Sequence, residues 1–211
     1  PDPRVAAVGV LAEALGLVEP DAVARAIAVV AGRYFGGNDP AADAAADAAV
    51  AWLPQGVAGP DGERGGGPQV GPERAANRIG LLVQACDATG ALVENARRHP
   101  AGPGDALAET VRHDPPVLVM RRVAASEVRV GGVAIARGDL VVLDVAAANR
   151  DPEVFTDPDA FDPDRSGPRS LTFGAGPRVC PGRAHALALA AGLLDRDHRA
   201  ETQADRPAGR Y

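Results

Sequence analysis

The chain has 211 residues, 46% of them hydrophobic, which is enough to bury a substantial core in one or two domains. Its formal net charge is −6 and its 22 basic residues are all arginine, a balance that argues against nucleic acid as a partner. No uninterrupted apolar run reaches the roughly 18 residues of a membrane span, and two cysteines, Cys86 and Cys180, make neither a disulfide framework nor a CxxC metal site.

Residues 5–18 and 21–34 are rich in Ala, Val and Leu at helical spacing, with Val5, Val8, Leu11, Ala12 and Leu15 on one stripe. Two helices are predicted, separated by a turn at Glu19-Pro20-Asp21. A third follows over 40–53 and completes a helical segment, 1–53. Between Pro54 and Pro72 seven Gly and four Pro fall in nineteen residues, so a mobile loop is expected there.

A long helix is predicted over 73–98, about 39 Å at 1.5 Å per residue, and His99-Pro100 ends it. A shorter helix over 104–113 stops at Asp114-Pro115-Pro116, because the residue before a proline is biased away from helix. The periodicity then changes. Val128 and Val130 alternate with Glu127 and Arg129, Gly131-Gly132 turns the chain, Val133 and Ile135 resume the alternation, and Arg137-Gly138-Asp139 turns again into 140–145. This reads as a small antiparallel meander. Proline and aspartate dominate 149–170, an irregular loop. A final helix carries Ala184, Leu187, Ala188, Ala191 and Leu194 on one face, and after Asp195 the pattern is lost, so 195–211 is expected to be a disordered tail.

The most informative stretch is Phe173-Gly174-Ala175-Gly176-Pro177-Arg178-Val179-Cys180-Pro181-Gly182. A glycine-rich loop here delivers one cysteine to the start of an apolar helix, with Cys180 expected at the N-cap, Pro181 at the first helical position, and backbone N–H groups from Gly182 onward near the sulfur. A helix N-terminus favours negative charge, so this placement favours the thiolate and metal binding. Cys86, in an apolar helical run, reads as a small buried hydrophobe.

The spacing F-G-x-G-x-R-x-C-x-G resembles the haem-binding loop of the cytochromes P450. Four further segments agree with that family in the expected order. The resemblance implies a mainly α fold with a small antiparallel β-meander. It also implies a single, N-terminally truncated domain in which 1–194 runs from the family's middle helices to its cysteine-loop helix, with 73–194 as the haem-binding core. The chain begins at a proline and its only methionine is Met120, which fits truncation.

By the same resemblance Cys180 is the axial ligand of the iron of haem b, iron protoporphyrin IX, and Phe173, Gly174, Gly176, Arg178 and Gly182 hold the cofactor. Arg122, with Arg121 beside it, is the second candidate for a haem propionate; arginine pairs bidentately with carboxylates. Gln84-Ala85-Cys86-Asp87-Ala88-Thr89 is similar to the family's oxygen-binding segment, in which an acid and a threonine deliver protons to dioxygen, the co-substrate. Ala85 lies on the cofactor side. Thr89 can bond the Ala85 carbonyl and Gly90 weakens the helix, so a local opening is expected. The family's acid directly precedes its threonine, whereas Asp87 stands one residue earlier, rotated by about 100°.

Glu109-Thr110-Val111-Arg112 resembles the E-x-x-R helix, and the loop from Asp151 to Arg165 supplies the third member of its ion triad, Arg165. A folding and haem-insertion role is implied for the three. Val117 to Met120 is expected to form a substrate wall, apolar and suited to a small hydrophobic or aromatic molecule. Three arginines and no acid between Ser166 and Arg183 suit an acidic, ferredoxin-type electron donor served by a reductase. The implied function is a cytoplasmic haem-thiolate monooxygenase with no membrane or nucleic-acid partner; the alternative is a non-catalytic, haem-binding remnant of one.

Overall fold

The computed structural model describes residues 2–34, 36, 38–56, 72–99 and 106–204. Two compact units are distinguished: Pro1–Arg98 with Pro181–Tyr211, and His99–Cys180.

The first unit is helical. Helix α1, Pro3–Ala14, starts where Asp2 caps it, its carboxylate accepting the Arg4 N–H at 2.9 Å, with Pro3 at the first position. It ends in a Schellman turn: Gly16 lies at φ +65°, its N–H donates to the Glu13 carbonyl, and the Leu17 N–H donates to the Ala12 carbonyl. Leu17 and Ala12 are both buried, which completes the apolar contact of that motif. Helix α2, Pro20–Ala31, begins with Pro20 after Glu19, which takes the left-handed conformation (φ +52°). In helix α3, Pro40–Gly56, the Asp39 carboxylate receives the N–H groups of Ala41 and Ala42. Helix α4 is Pro72–Arg97 and helix α7 is Arg183–Ala204.

Val8, Val23, Ile27, Leu53, Leu82 and Cys86 centre the core where α1, α2, α3 and α4 meet. The predicted stripe on α1 is met at Val8 and Ala12, both fully buried, but Leu15 falls beyond the helix and is exposed. Helix α3 runs three residues past Leu53, into the stretch expected to be loop; 57–71 lies outside the described residues.

Helix α7 differs from its prediction in two ways. Of the expected face Leu194 is buried and Leu187 and Ala191 are half-buried, but Ala184 and Ala188 are exposed and Ala190 and Leu193 are buried instead, a partial rotation of the face. It also continues ten residues beyond Leu194, to Ala204, in a stretch with no apolar stripe. An ion pair between Arg97 of α4 and Asp197 of α7, 2.5 Å, helps hold that turn. Residues 205–211 lie outside the described residues.

The second unit opens with helix α5, Ala106–His113, followed by strands β1, Val119–Val123, β2, Val128–Val130, β3, Val133–Ile135, and β4, Leu140–Asp144, then the single turn α6, Val145–Ala148. The strands do not form one meander. β2 pairs with β3 across Gly131-Gly132, both at positive φ as a tight hairpin turn demands, and β4 pairs antiparallel with β1, Val119 opposite Asp144 and Val123 opposite Leu140. The reason lies at the turn 137–139. The Ala124 N–H donates to the Asp139 carbonyl and the Gly138 N–H to the Ala124 carbonyl, which steers β4 past β3 and onto β1. Val119 and Met120, expected in a substrate wall, are strand residues of β1.

Candidate functional site

Helix α5 buries charge. Glu109 and Arg112, one turn apart, are each 3% exposed and form a bidentate pair, Arg112 Nη2 to Oε1 at 2.6 Å and Nε to Oε2 at 2.9 Å. Arg165, 56 residues later in the chain, donates Nε to Glu109 Oε1 at 3.0 Å, beside the Asp162 N–H at 3.1 Å. The guanidinium groups spend their remaining donors on carbonyls: Arg112 on Asn149, Pro158 and Ala160, Arg165 on Thr156, Asp157 and Ala160. The loop 156–165 thus wraps the triad with its own backbone, and buried charge is tolerated because both Glu109 oxygens and every nitrogen of the two guanidinium groups have a hydrogen-bond partner. Burial pushes the Glu109 carboxyl up, but hydrogen bonds from Arg112, the Asp162 N–H and Arg165 together outweigh it and leave it below the ordinary carboxylate value.

A second polar cluster, not foreseen from the sequence, joins this triad to the cysteine loop. Asn149, fully buried, gives its backbone carbonyl to Arg112 and its side chain to the strand of chain before the loop: Oδ1 accepts the Leu171 N–H at 2.7 Å, and Nδ2 donates to Thr172 Oγ1 at 2.8 Å. Thr172 Oγ1 donates in turn to the Val111 carbonyl of α5 at 2.6 Å. The available signal was a lone amide closing the apolar run Val145-Ala146-Ala147-Ala148.

Beyond Thr172 the loop turns on Gly174 and Gly176, both at φ +73°, where a β-carbon would be strained, and makes one 3-10 turn, Gly176–Arg178. It closes through the Cys180 N–H, which donates to the Phe173 carbonyl at 2.8 Å. Cys180 is a free, exposed thiol. It is not a helix N-cap: Pro181 and Gly182 form a turn, the first carbonyl of α7 to receive a helical bond is that of Gly182, from Ala186, and the helix begins at Arg183. The prolyl ring and the glycine keep the chain in a turn for two residues, so Cys180 sits before the helix and not on its first turn.

Arg122, on β1, and Arg178, in the 3-10 turn, are both exposed; Arg122 donates to the Arg121 carbonyl at 2.8 Å. Ala85, Asp87 and Thr89 belong to α4 in the first unit. Thr89 is buried and Asp87 lies 3.8 Å from the Arg4 guanidinium. The expected opening is not there: α4 is helical without interruption from Pro72 to Arg97. Gly90 has another reason. A β-carbon on it would meet the Arg4 side chain and stand 3.1 Å from the Arg4 backbone, so the glycine admits the start of α1 against α4.

Residues 105–189 match the family model described as Cytochrome P450. Linalool 8-monooxygenase of Pseudomonas putida is 53% identical over 77 residues, 36% of this chain and 19% of that protein. The cytochrome P450 family protein EryCII of Saccharopolyspora erythraea is 41% identical over 121 residues, 57% of this chain and 33% of its own length. The chain thus spans a third or less of these curated relatives. The crystal structure of CalO2 superposes on 90% of the chain and 56% of its own, with a TM-score of 0.73 and 26% identity. Over residues 105–189 in sequence, and over most of its length in fold, the chain is similar to part of the cytochromes P450.

Proposed function

We propose that this chain is the C-terminal part of a haem-thiolate monooxygenase that oxidises a small hydrophobic or aromatic molecule. The observation that carries the reading is the loop that ends in Cys180, folded on two positive-φ glycines and closed onto the Phe173 carbonyl. The donor set suits haem b: an exposed thiol for the iron, glycines without side chains beside it, and the exposed guanidinium groups of Arg122 and Arg178 for the propionates. When bound, the haem supplies the redox centre at which dioxygen is activated, its thiolate ligand favouring O–O cleavage.

The remaining work falls to side chains. Cys180 provides the ligand, with Phe173 and Gly182 bounding its loop, and Ala85 of α4 is assigned to cofactor binding by the family resemblance. Thr89 Oγ1 passes protons inward and the Asp87 carboxylate supplies them. One oxygen atom enters the substrate as hydroxyl and the other leaves as water, with two protons and two electrons consumed. The run from Ser166 to Arg183, with arginines and no acid, supplies positive charge suited to an acidic ferredoxin-type donor served by its reductase. Glu109, Arg112 and Arg165 act in folding and haem insertion. Among the described residues no helix is long and apolar enough to cross a membrane, and a cytoplasmic location is part of this reading.

A second reading, haem binding without turnover, is favoured by α4: the helix is unbroken at Thr89, and Arg4 covers Gly90 and pairs with Asp87. One experiment separates the cases. The purified, haem-reconstituted chain is reduced under carbon monoxide; a strongly red-shifted Soret band, lost in Cys180→Ser, supports both readings, and no haem uptake sinks both. Product formation with a ferredoxin and its reductase then selects the first.

A further inference from the structure

We infer that Asn149 and Thr172 are positioning residues for Cys180, tying the loop that carries the thiol to the buried ion triad; as a role toward a metal ligand this rests on the haem-thiolate reading. Residues 174–180 are half-buried or exposed, so the loop gains little hold from burial of its own side chains. Its hold is at the base. The Cys180 N–H is closed onto the Phe173 carbonyl and the Gly174 N–H onto the Leu171 carbonyl, both at 2.8 Å, so the position of 171–173 fixes that of the thiol. Those residues are fixed in turn by Asn149 Oδ1 on Leu171 and Asn149 Nδ2 on Thr172, while the Asn149 carbonyl is held by Arg112.

The chain of bonds has a direction. The Thr172 hydroxyl has one proton and spends it on the Val111 carbonyl, so toward Asn149 it can only accept; the amide must therefore point Nδ2 at Thr172 and Oδ1 at Leu171. A metal ligand must be held to within about 0.5 Å by a locked supporting shell. In this unit the locked shell is a buried amide and a buried hydroxyl, bonded at one end to α5 and the triad and at the other to the cysteine loop. Val at 172 keeps the shape and leaves both Asn149 Nδ2 and the Val111 carbonyl without a partner. Asp at 149 keeps the acceptor for Leu171 and replaces the donor to Thr172 by a carboxylate oxygen.

Amide hydrogen exchange on the chain without haem tests the anchor. In Thr172→Val the Gly174 and Cys180 amides are expected to exchange about tenfold faster or more, with the α5 amides unchanged, and Thr172→Ser is expected to restore the native rates. If Thr172→Val does not fold, Asn149→Asp gives the same readout. Native rates at Gly174 and Cys180 in the folded Val or Asp variant, or failure of Ser to rescue, would overturn the inference. With haem loaded, the same variants at equal haem content are expected to lose part of the red-shifted carbon monoxide band to a blue-shifted one; an unchanged ratio would overturn the positioning role. Absence of haem uptake by the unmutated chain would instead remove the haem reading and leave the exchange result to decide the anchor.

Discussion

Glu109 and Arg112 face each other across one turn of α5 with two hydrogen bonds, and Arg165 closes on the same carboxylate oxygen that Arg112 Nη2 uses. Three charges therefore share one buried site with a net charge of plus one, balanced by backbone carbonyls.

Removing the carboxylate leaves two guanidinium groups facing each other. Glu109→Ala is expected to cost about 3–5 kcal/mol, the range for breaking a buried pair, and to abolish stable haem incorporation. Arg165→Ala, whose side chain is 14% exposed, should cost less. Urea unfolding midpoints at unchanged slope check the order; a Glu109→Ala midpoint equal to the native one would contradict the account of the triad.

The same carboxylate sets a pH dependence. Its folded-state value lies below the ordinary 4.5, so its contribution is fully present above 4.5 and is lost as pH falls through the depressed value. Stability measured from pH 7 downward should fall more steeply below about 4.5 in the native chain than in Glu109→Gln. Parallel acid limbs would show that Glu109 gains nothing from its partners.

The two thiols should react very differently. Burial, with help from the Asp87 charge, pushes Cys86 up to about 11, while Cys180 is exposed. At neutral pH an alkylating reagent should modify Cys180 in the folded chain and reach Cys86 only on unfolding, as peptide mass spectrometry would resolve. Equal labelling of both in the native state would refute the burial of Cys86.

Gly90 offers a test with an inverted sign. An exposed helix glycine replaced by alanine gains about 1 kcal/mol. At 90 the new β-carbon meets Arg4, so Gly90→Ala is expected to lose about 1–3 kcal/mol, the usual cost of overpacking, seen as a lowered melting temperature. Stabilisation by Ala would mean that α1 does not press on α4 at this point.

What could be read in advance was what lies on one periodic element. The spacing of Glu109 and Arg112 puts them on one helical face, and the glycine and proline pattern around Cys180 marks a loop before a helix. Arg165 was reachable only through the resemblance. Asn149 and Thr172 were not, because their partnership spans 23 residues and neither belongs to a repeating pattern. Strand β1 was missed for a related reason: Val-Met-Arg-Arg-Val buries no residue, so no alternation marks it, and only its ladder with β4 makes it a strand. Gly90 was misread because its lack of a side chain serves a neighbouring helix, which a single-helix argument does not contain. The end of α7 was set too early because Arg97 and Asp197, a hundred residues apart, tie it down.

Among the described residues each strand is paired on one side only, and several apolar side chains along these ribbons are open: Val123 is 67% exposed, Val133 65%, Leu140 63% and Val130 60%. Such strands carry unpaired N–H and C=O groups that another copy of the chain can match. In concentrated solution the two ribbons are therefore where intermolecular pairing is expected to start, and Val123→Lys or Val133→Lys is the change expected to keep molecules apart.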